Sequence, residues 1–165
     1  MYKGAQYYAN LKKYKDAEIK TITEKVFKGK NIIIPTDKFS SFDFIYEDKK
    51  CIVELKNRNF TSDFFDDKYE GVMMLEKSKS DRLLNLVKKG AKYEGYLVCF
   101  MYYFTDDVFQ YVILNKLDFD KCNIEETYCP KNSCDEKPKY ANKTTYKIQK
   151  ELLNNKNFVR RKLTL

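Results

Sequence analysis

Three residues could do chemistry together: Asp43, Glu54 eleven positions later, and Lys56 two beyond that. They lie in a stretch where two alternating runs of aromatic and β-branched residues, Phe42–Glu47 and Cys51–Arg58, flank the polar break Asp48-Lys49-Lys50. That pattern predicts an antiparallel hairpin. A two-residue turn at Asp48-Lys49 sets Glu47 opposite Lys50, Ile45 opposite Ile52 and Asp43 opposite Glu54. Side chains alternate faces along a strand, so Asp43, Glu54 and Lys56 share one face. Opposed residues have Cβ atoms about 4.5–5.5 Å apart, where two like charges repel. A divalent cation between the carboxylates relieves that repulsion most simply, with Lys56 beside it as a third charge.

The rest of the composition narrows the chemistry. The chain has no histidine, so histidine-dependent hydrolysis is excluded and a hydrolytic metal site must use carboxylates, which suits Mg²⁺ or Mn²⁺. Five cysteines without a secretory leader point to reduced thiols. Cys122, Cys129 and Cys134 cluster without a C-x-x-C pair, which disfavours structural zinc.

Several elements must position the three residues. Asp16–Lys28 reads as a helix, with Ile19, Ile22 and Val26 on its apolar stripe and Gly29 after it. Glu18 lies at the edge of that stripe and Glu24 on the solvent side, so Glu18 is the acid this helix offers to a site. Asn31–Pro35 reads as a short buried strand. A loop carrying Asp63, Asp66 and Asp67 follows Arg58. A second helix is expected within Tyr69–Lys89, with Val72, Leu75, Leu83 and Leu86 as its stripe. Lys79 falls on that stripe, and a lysine there needs a charge partner or must snorkel. Two strands, Tyr93–Phe104 and Val108–Leu114, come next. Residues 118–145 show no period, Thr144–Asn155 reads as helix or strand, and Arg160, Arg161 and Lys162 form a basic tail.

The order helix, strand, Asp-bearing strand, Glu-x-Lys strand, helix, strand resembles the PD-(D/E)XK nuclease superfamily, which includes restriction endonucleases, Holliday-junction resolvases and phage exonucleases. Asp43 and Glu54-Leu55-Lys56 carry the resemblance, which spans roughly residues 17–114; Phe42 stands where many members have proline. It implies an α/β fold with a restriction endonuclease-like αβββαβ core, a central mixed sheet flanked by helices, in one domain of 165 residues with a basic extension after about residue 115. It further implies that Asp43, Glu54 and the Leu55 backbone carbonyl ligate Mg²⁺ or Mn²⁺, with Glu18 as an added acid. Lys56 would position or activate the attacking water and face the phosphate, and Lys79 would be the basic residue of the later helix.

The net charge of +8 is concentrated at the ends: residues 1–30 carry eight lysines against three acids, and residues 131–165 carry ten basic residues against three. Basic ends around a more acidic centre suit a polyanion. DNA is the favoured partner over RNA, with Arg58, Lys77, Arg160, Arg161 and Lys162 as phosphate contacts and a homodimer as a further option. The Tyr- and Lys-rich segment 1–15 is expected to dock on the core. No apolar run suffices to span a bilayer, so a cytoplasmic protein without membrane contact is expected, in the host cytoplasm if viral. The competing expectation is a nucleic-acid-binding or assembly protein that keeps the fold without cleaving. Paired carboxylates also serve glycosidases, but the chain has no tryptophan for a sugar platform.

Overall fold

The computed structural model describes residues 16–17, 19–37, 40–130 and 139–163. It is an α/β fold built on a mixed central sheet. Helical residues 19–25 (α1) precede strands β1 (Ile32–Ile33), β2 (Phe44–Tyr46) and β3 (Cys51–Asn57). Helix α2 (Ser62–Tyr69), strand β4 (Met73–Glu76) and helix α3 (Lys77–Asn85) then lead to β5 (Leu97–Tyr103) and β6 (Val108–Ile113). Strands β7 (Asn123–Pro130), β8 (Tyr140–Ile148) and β9 (Phe158–Lys162) complete the chain. Six strands form one sheet in the order β1-β2-β3-β5-β6-β9, and three form a second, β4-β8-β7. Only the β3–β5 pair is parallel among these ladders. Parallel neighbours need a crossover connection, and α2-β4-α3 supplies it.

The central sheet is buried on both faces because β3 and β5 are apolar nearly throughout. On one face Phe44, Val53, Leu55, Met101 and Tyr103 pack under Ile19 and Ile22 of α1, which confirms the helical spacing expected there. On the other face Ile45, Ile52, Phe100 and Tyr102 meet Phe65 of α2, Leu75 of β4, Leu83 of α3 and Ile148 of β8. Each fully buried side chain of this size contributes up to about 1.5–3 kcal/mol.

Five local expectations are corrected. Residues 62–69 are a helix, not a loop: Thr61 caps it by accepting from the Phe64 amide at 3.2 Å, and Phe65 packs its ring 5.6 Å from Tyr102. The helix expected within residues 69–89 is split. Glu70 and Gly71 both take left-handed φ (54° and 68°), ending α2. Met73 and Leu75 then alternate inward along β4 before α3 begins. The run Asn31–Pro35 is an edge rather than a buried strand, with Ile33 46% and Ile34 49% exposed. Strands β7 and β8 pair antiparallel where no clean period was visible, because much of their outer part stays in solvent. The basic residues 160–162 are likewise not a tail; they belong to β9, paired to β6. The arm 1–15, Glu18 and Cys134 lie outside the described residues.

Candidate active site

The β2–β3 hairpin has the register read from its alternation: Phe44 faces Val53, Ile45 faces Ile52 and Tyr46 faces Cys51. The connection differs. Glu47–Lys49 form one 3₁₀ turn and Lys50 closes it at φ 46°, its amide donating to Glu47 O at 2.9 Å. Asp43 continues the ladder, its amide donating to Val53 O at 2.9 Å. Its Oδ2 accepts from the Leu55 amide at 2.7 Å, so the Asp43 main chain and side chain bracket Glu54 on both sides.

Both acids are buried, Asp43 at 8% and Glu54 at 2% exposure. Two ammonium groups offset the resulting charge. Lys56 Nζ lies 2.9 Å from Glu54 Oε1, and Lys79 Nζ lies 2.9 Å from Oε2. The Oε2 contact is ionic only, since that buried oxygen accepts no hydrogen bond. Lys79 thus has the carboxylate partner its place on an apolar stripe demanded, although Leu75 of that stripe belongs to β4. Burial pulls the Lys56 ammonium toward its neutral form. The charge and hydrogen bond of Glu54, with the charge of Asp43, outweigh that effect and raise its pKa above the ordinary value.

Arg58, two residues past Lys56 on the same face, rests its guanidinium 4.0 Å from the Tyr102 ring centroid, a cation–π contact. The Arg58 amide donates to Tyr103 O at 2.8 Å, while its buried Nε has no hydrogen bond. Tyr102 was hidden within an apolar run, and its role follows only from the pairing of β3 with β5. Its hydroxyl donates to Met74 O and accepts from the Met74 amide, both at 3.1 Å, which ties β4 to the central sheet.

The remaining basic residues are dispersed. Lys77 pairs with Asp81 at 2.9 Å. Arg160 Nη1 donates to both carboxylate oxygens of Asp66, at 2.9 and 2.7 Å. Register places Arg160 level with Gln110, Tyr102 and Lys56, three strand spacings or about 14 Å from Lys56. Arg161 and Lys162 are exposed on β9.

Oxygen donors of this kind suit a hard divalent cation. Among the described residues no group of three or more cysteine or acidic side chains gathers to hold a metal. The donors present are the Asp43 and Glu54 carboxylates, the latter with a buried oxygen that accepts no hydrogen bond. The donor types suit Mg²⁺, which binds through one or two carboxylates and fills its shell with water and phosphate oxygens, although Lys56 and Lys79 each stand 2.9 Å from a Glu54 oxygen. Cys122 and Cys129 stand seven residues apart along an extended strand, roughly 20 Å or more, too far to share one ion. No helix among the described residues is long and apolar enough to cross a membrane. No family model, no curated protein and no solved structure matches the chain.

Proposed function

We propose that the chain is a metal-dependent nuclease of the PD-(D/E)XK type that hydrolyses phosphodiester bonds in DNA. One observation carries this reading: Glu54, buried at the centre of a mixed sheet, is met by Lys56 of its own strand and by Lys79 of the crossover, and is bracketed by Asp43. The element order supports it, since α1, three antiparallel strands, a helical crossover and a parallel strand follow the restriction endonuclease-like core.

Asp43 and Glu54, with the Leu55 carbonyl, would hold Mg²⁺ or Mn²⁺, which supplies Lewis acidity and hydroxide near neutral pH. The chain's own residues do the rest. The Leu55 amide fixes Asp43 Oδ2 in place before substrate arrives. Lys56, with its side chain 46% exposed and its pKa raised by Glu54, is a cation at neutral pH and not a base. Its task is therefore electrostatic: it orients the water and faces the negative charge that grows on the phosphate. Lys79 keeps the second Glu54 oxygen oriented.

A non-catalytic nucleic-acid-binding protein is the rival reading, favoured by the fact that both Glu54 oxygens already face ammonium groups. The test is cleavage of plasmid, linear and branched DNA, and of RNA, in Mg²⁺, Mn²⁺ or EDTA. Cation-dependent cleavage lost in Asp43→Asn, Glu54→Gln and Lys56→Ala is expected, with a rise in melting temperature on adding cation that the first two variants lose. Equal activity in the variants removes the site assignment. Salt-sensitive binding without any cleavage establishes the rival.

A further inference from the structure

Of the seven large apolar side chains exposed among the described residues, Ile124, Tyr128 and Tyr140 lie on one hairpin. Register puts them on a common face. Ile124 opposes Tyr146, Tyr128 opposes Asn142, and Tyr140 opposes Pro130, all at even steps along β7 and β8. Toward β4 this face is core, with Tyr146 and Ile148 buried against Met73 and Leu75. Away from β4 the same face carries two rings in solvent. Tyr128 is 71% and Tyr140 49% exposed, and they stack on one another with centroids 5.2 Å apart at 28°. Each ring covers one face of its partner and leaves its own outer face open.

Residues 121–130 and 139–148 also hold four lysines and two glutamates. Lys121 pairs with Asp118, Lys143 with Glu76 and Lys147 with Glu125, and alternation sets Lys143 and Lys147 on the face opposite the rings. Glu126 accepts from Thr144. Exposed Lys139 adjoins Tyr140. From the rings, β8 leads into an open groove of about 330 Å³ where it faces Lys77 and Ser78 of α3, beside Asn142, Lys143 and Thr144. The acids of the groove, Glu76 and Asp81, are engaged by Lys143 and Lys77 at 3.0 and 2.9 Å. Helix α3 itself carries Lys79 to Glu54. The groove and the acid centre are therefore joined through α3, with Lys77 and Ser78 lining the one and Lys79 reaching the other, and the ring pair lies further out along the same β8 strand.

We propose that the β7–β8 hairpin is a docking platform for single-stranded nucleic acid, with Tyr128 and Tyr140 stacking a base of the strand that reaches Asp43 and Glu54. The part concerning the strand's destination rests on the nuclease reading; the platform itself does not. Exposed aromatic faces bind single strands without sequence preference, because every base has a π-face, and exposed Lys139 next to Tyr140 supplies a charge for the backbone. A duplex keeps its base faces inside its own stack except at its two ends, and offers the rings little. The substrate class that follows is a single strand, or a duplex with an unpaired end or flap.

The experiment titrates fluorescein-labelled oligo(dT) and a long blunt-ended duplex of two complementary strands with the full chain, in EDTA so that nothing is cleaved, and reads anisotropy. The chain is expected to prefer oligo(dT). Tyr128→Ala/Tyr140→Ala is expected to weaken that binding about tenfold or more while changing duplex binding less than about twofold. Tyr128→Phe/Tyr140→Phe, which keeps the rings, restores it. The single variant Tyr128→Ser gives a partial loss and checks that folding is not the cause. Equal binding of oligo(dT) by the alanine variant, or no preference for single strand in the wild type, overturns the proposal. So does a sedimentation result in which the alanine variant loses self-association but keeps oligo(dT), since the patch is then an interface between copies. Ring-dependent binding without cleavage by the wild type sinks the nuclease reading alone, and cleavage with ring-independent binding sinks the platform alone.

Discussion

Lys79 Nζ stands 2.9 Å from Glu54 Oε2, on the opposite oxygen of the carboxylate from Lys56. A helix of the crossover and a strand of the sheet are thus joined through one acid that is 2% exposed. Stripping a cation from a fully buried pair costs about 3–5 kcal/mol, whereas exposed pairs are worth about 0–1. The Lys79 side chain is 23% exposed and Lys56 remains as a second partner, so Lys79→Ala is expected to cost about 1–3 kcal/mol in urea unfolding. Lys56→Ala/Lys79→Ala should exceed the sum of the single variants, because only the pair of changes leaves Glu54 without a cation. Glu54→Gln removes the buried charge and is expected to hold the melting temperature while abolishing cleavage.

Alkaline titration isolates Lys56. Its pKa is raised in the folded chain because the charge and hydrogen bond of Glu54 outweigh burial. A raised folded pKa gives stability that is complete below the unfolded lysine value, about 10.4, and lost as pH climbs through the folded one. Wild type should therefore lose stability more steeply than Lys56→Met above about pH 10, in urea unfolding at stepped pH.

Acid titration reports on Asp106, the anchor of the α2 N-terminus. Burial pushes its pKa up, but bonds from the Ser62 hydroxyl at 2.7 Å and the Ser62 amide at 3.1 Å prevail and hold it below the ordinary value. The stabilisation is then present above the unfolded aspartate value, about 3.9, and disappears as pH falls through the depressed one. Asp106→Asn should be less stable at neutral pH and show a flatter loss of melting temperature below about pH 4.

Tyr102→Phe tests the tie between the two sheets. The hydroxyl serves both the amide and the carbonyl of Met74. Losing it leaves two backbone groups short of a partner and is expected to cost about 1–3 kcal/mol. Hydrogen exchange at the Met74 amide should accelerate ahead of exchange in β3. Unchanged protection there contradicts the role assigned to the hydroxyl.

The hairpin register was legible because Ile45 and Ile52 had to point inward together, and a slip of one residue would have exposed both. Lys79 was legible because a lysine within an apolar stripe needs a carboxylate. The boundaries of α3 were not: Val72, Leu75, Leu83 and Leu86 fit a helical period although Leu75 belongs to a strand whose inward side chains meet the same core. Local pattern records burial without recording which element does the burying. Helix α2 was obscured by three aspartates, and its signal lay in the Thr61 cap and the single inward Phe65. The β7–β8 hairpin defied periodicity because Ile124, Tyr128 and Tyr140 leave apolar groups in solvent where alternation calls for polar ones. Arg160 reads as a phosphate contact from composition alone; its commitment to Asp66 depends on β9 pairing with β6 beside α2.

The placement of β8 and β9 bears on the order in which the protein can become itself during synthesis. Asp43, Glu54, Lys56 and Lys79 are made before β8 and β9, yet among the described residues β4 pairs with β8 and the outer edge of β6 with β9. Until those late strands emerge, the nascent chain exposes the unpaired edges of β4 and β6, which invite association with other chains. A polypeptide stopped before residue 158 would hold every proposed acid and lysine of the centre but not the strand that closes the sheet. The proposed centre is therefore not held in its finished sheet until β9 has been made, and a chain lacking β9 leaves the β6 edge open to association with other chains.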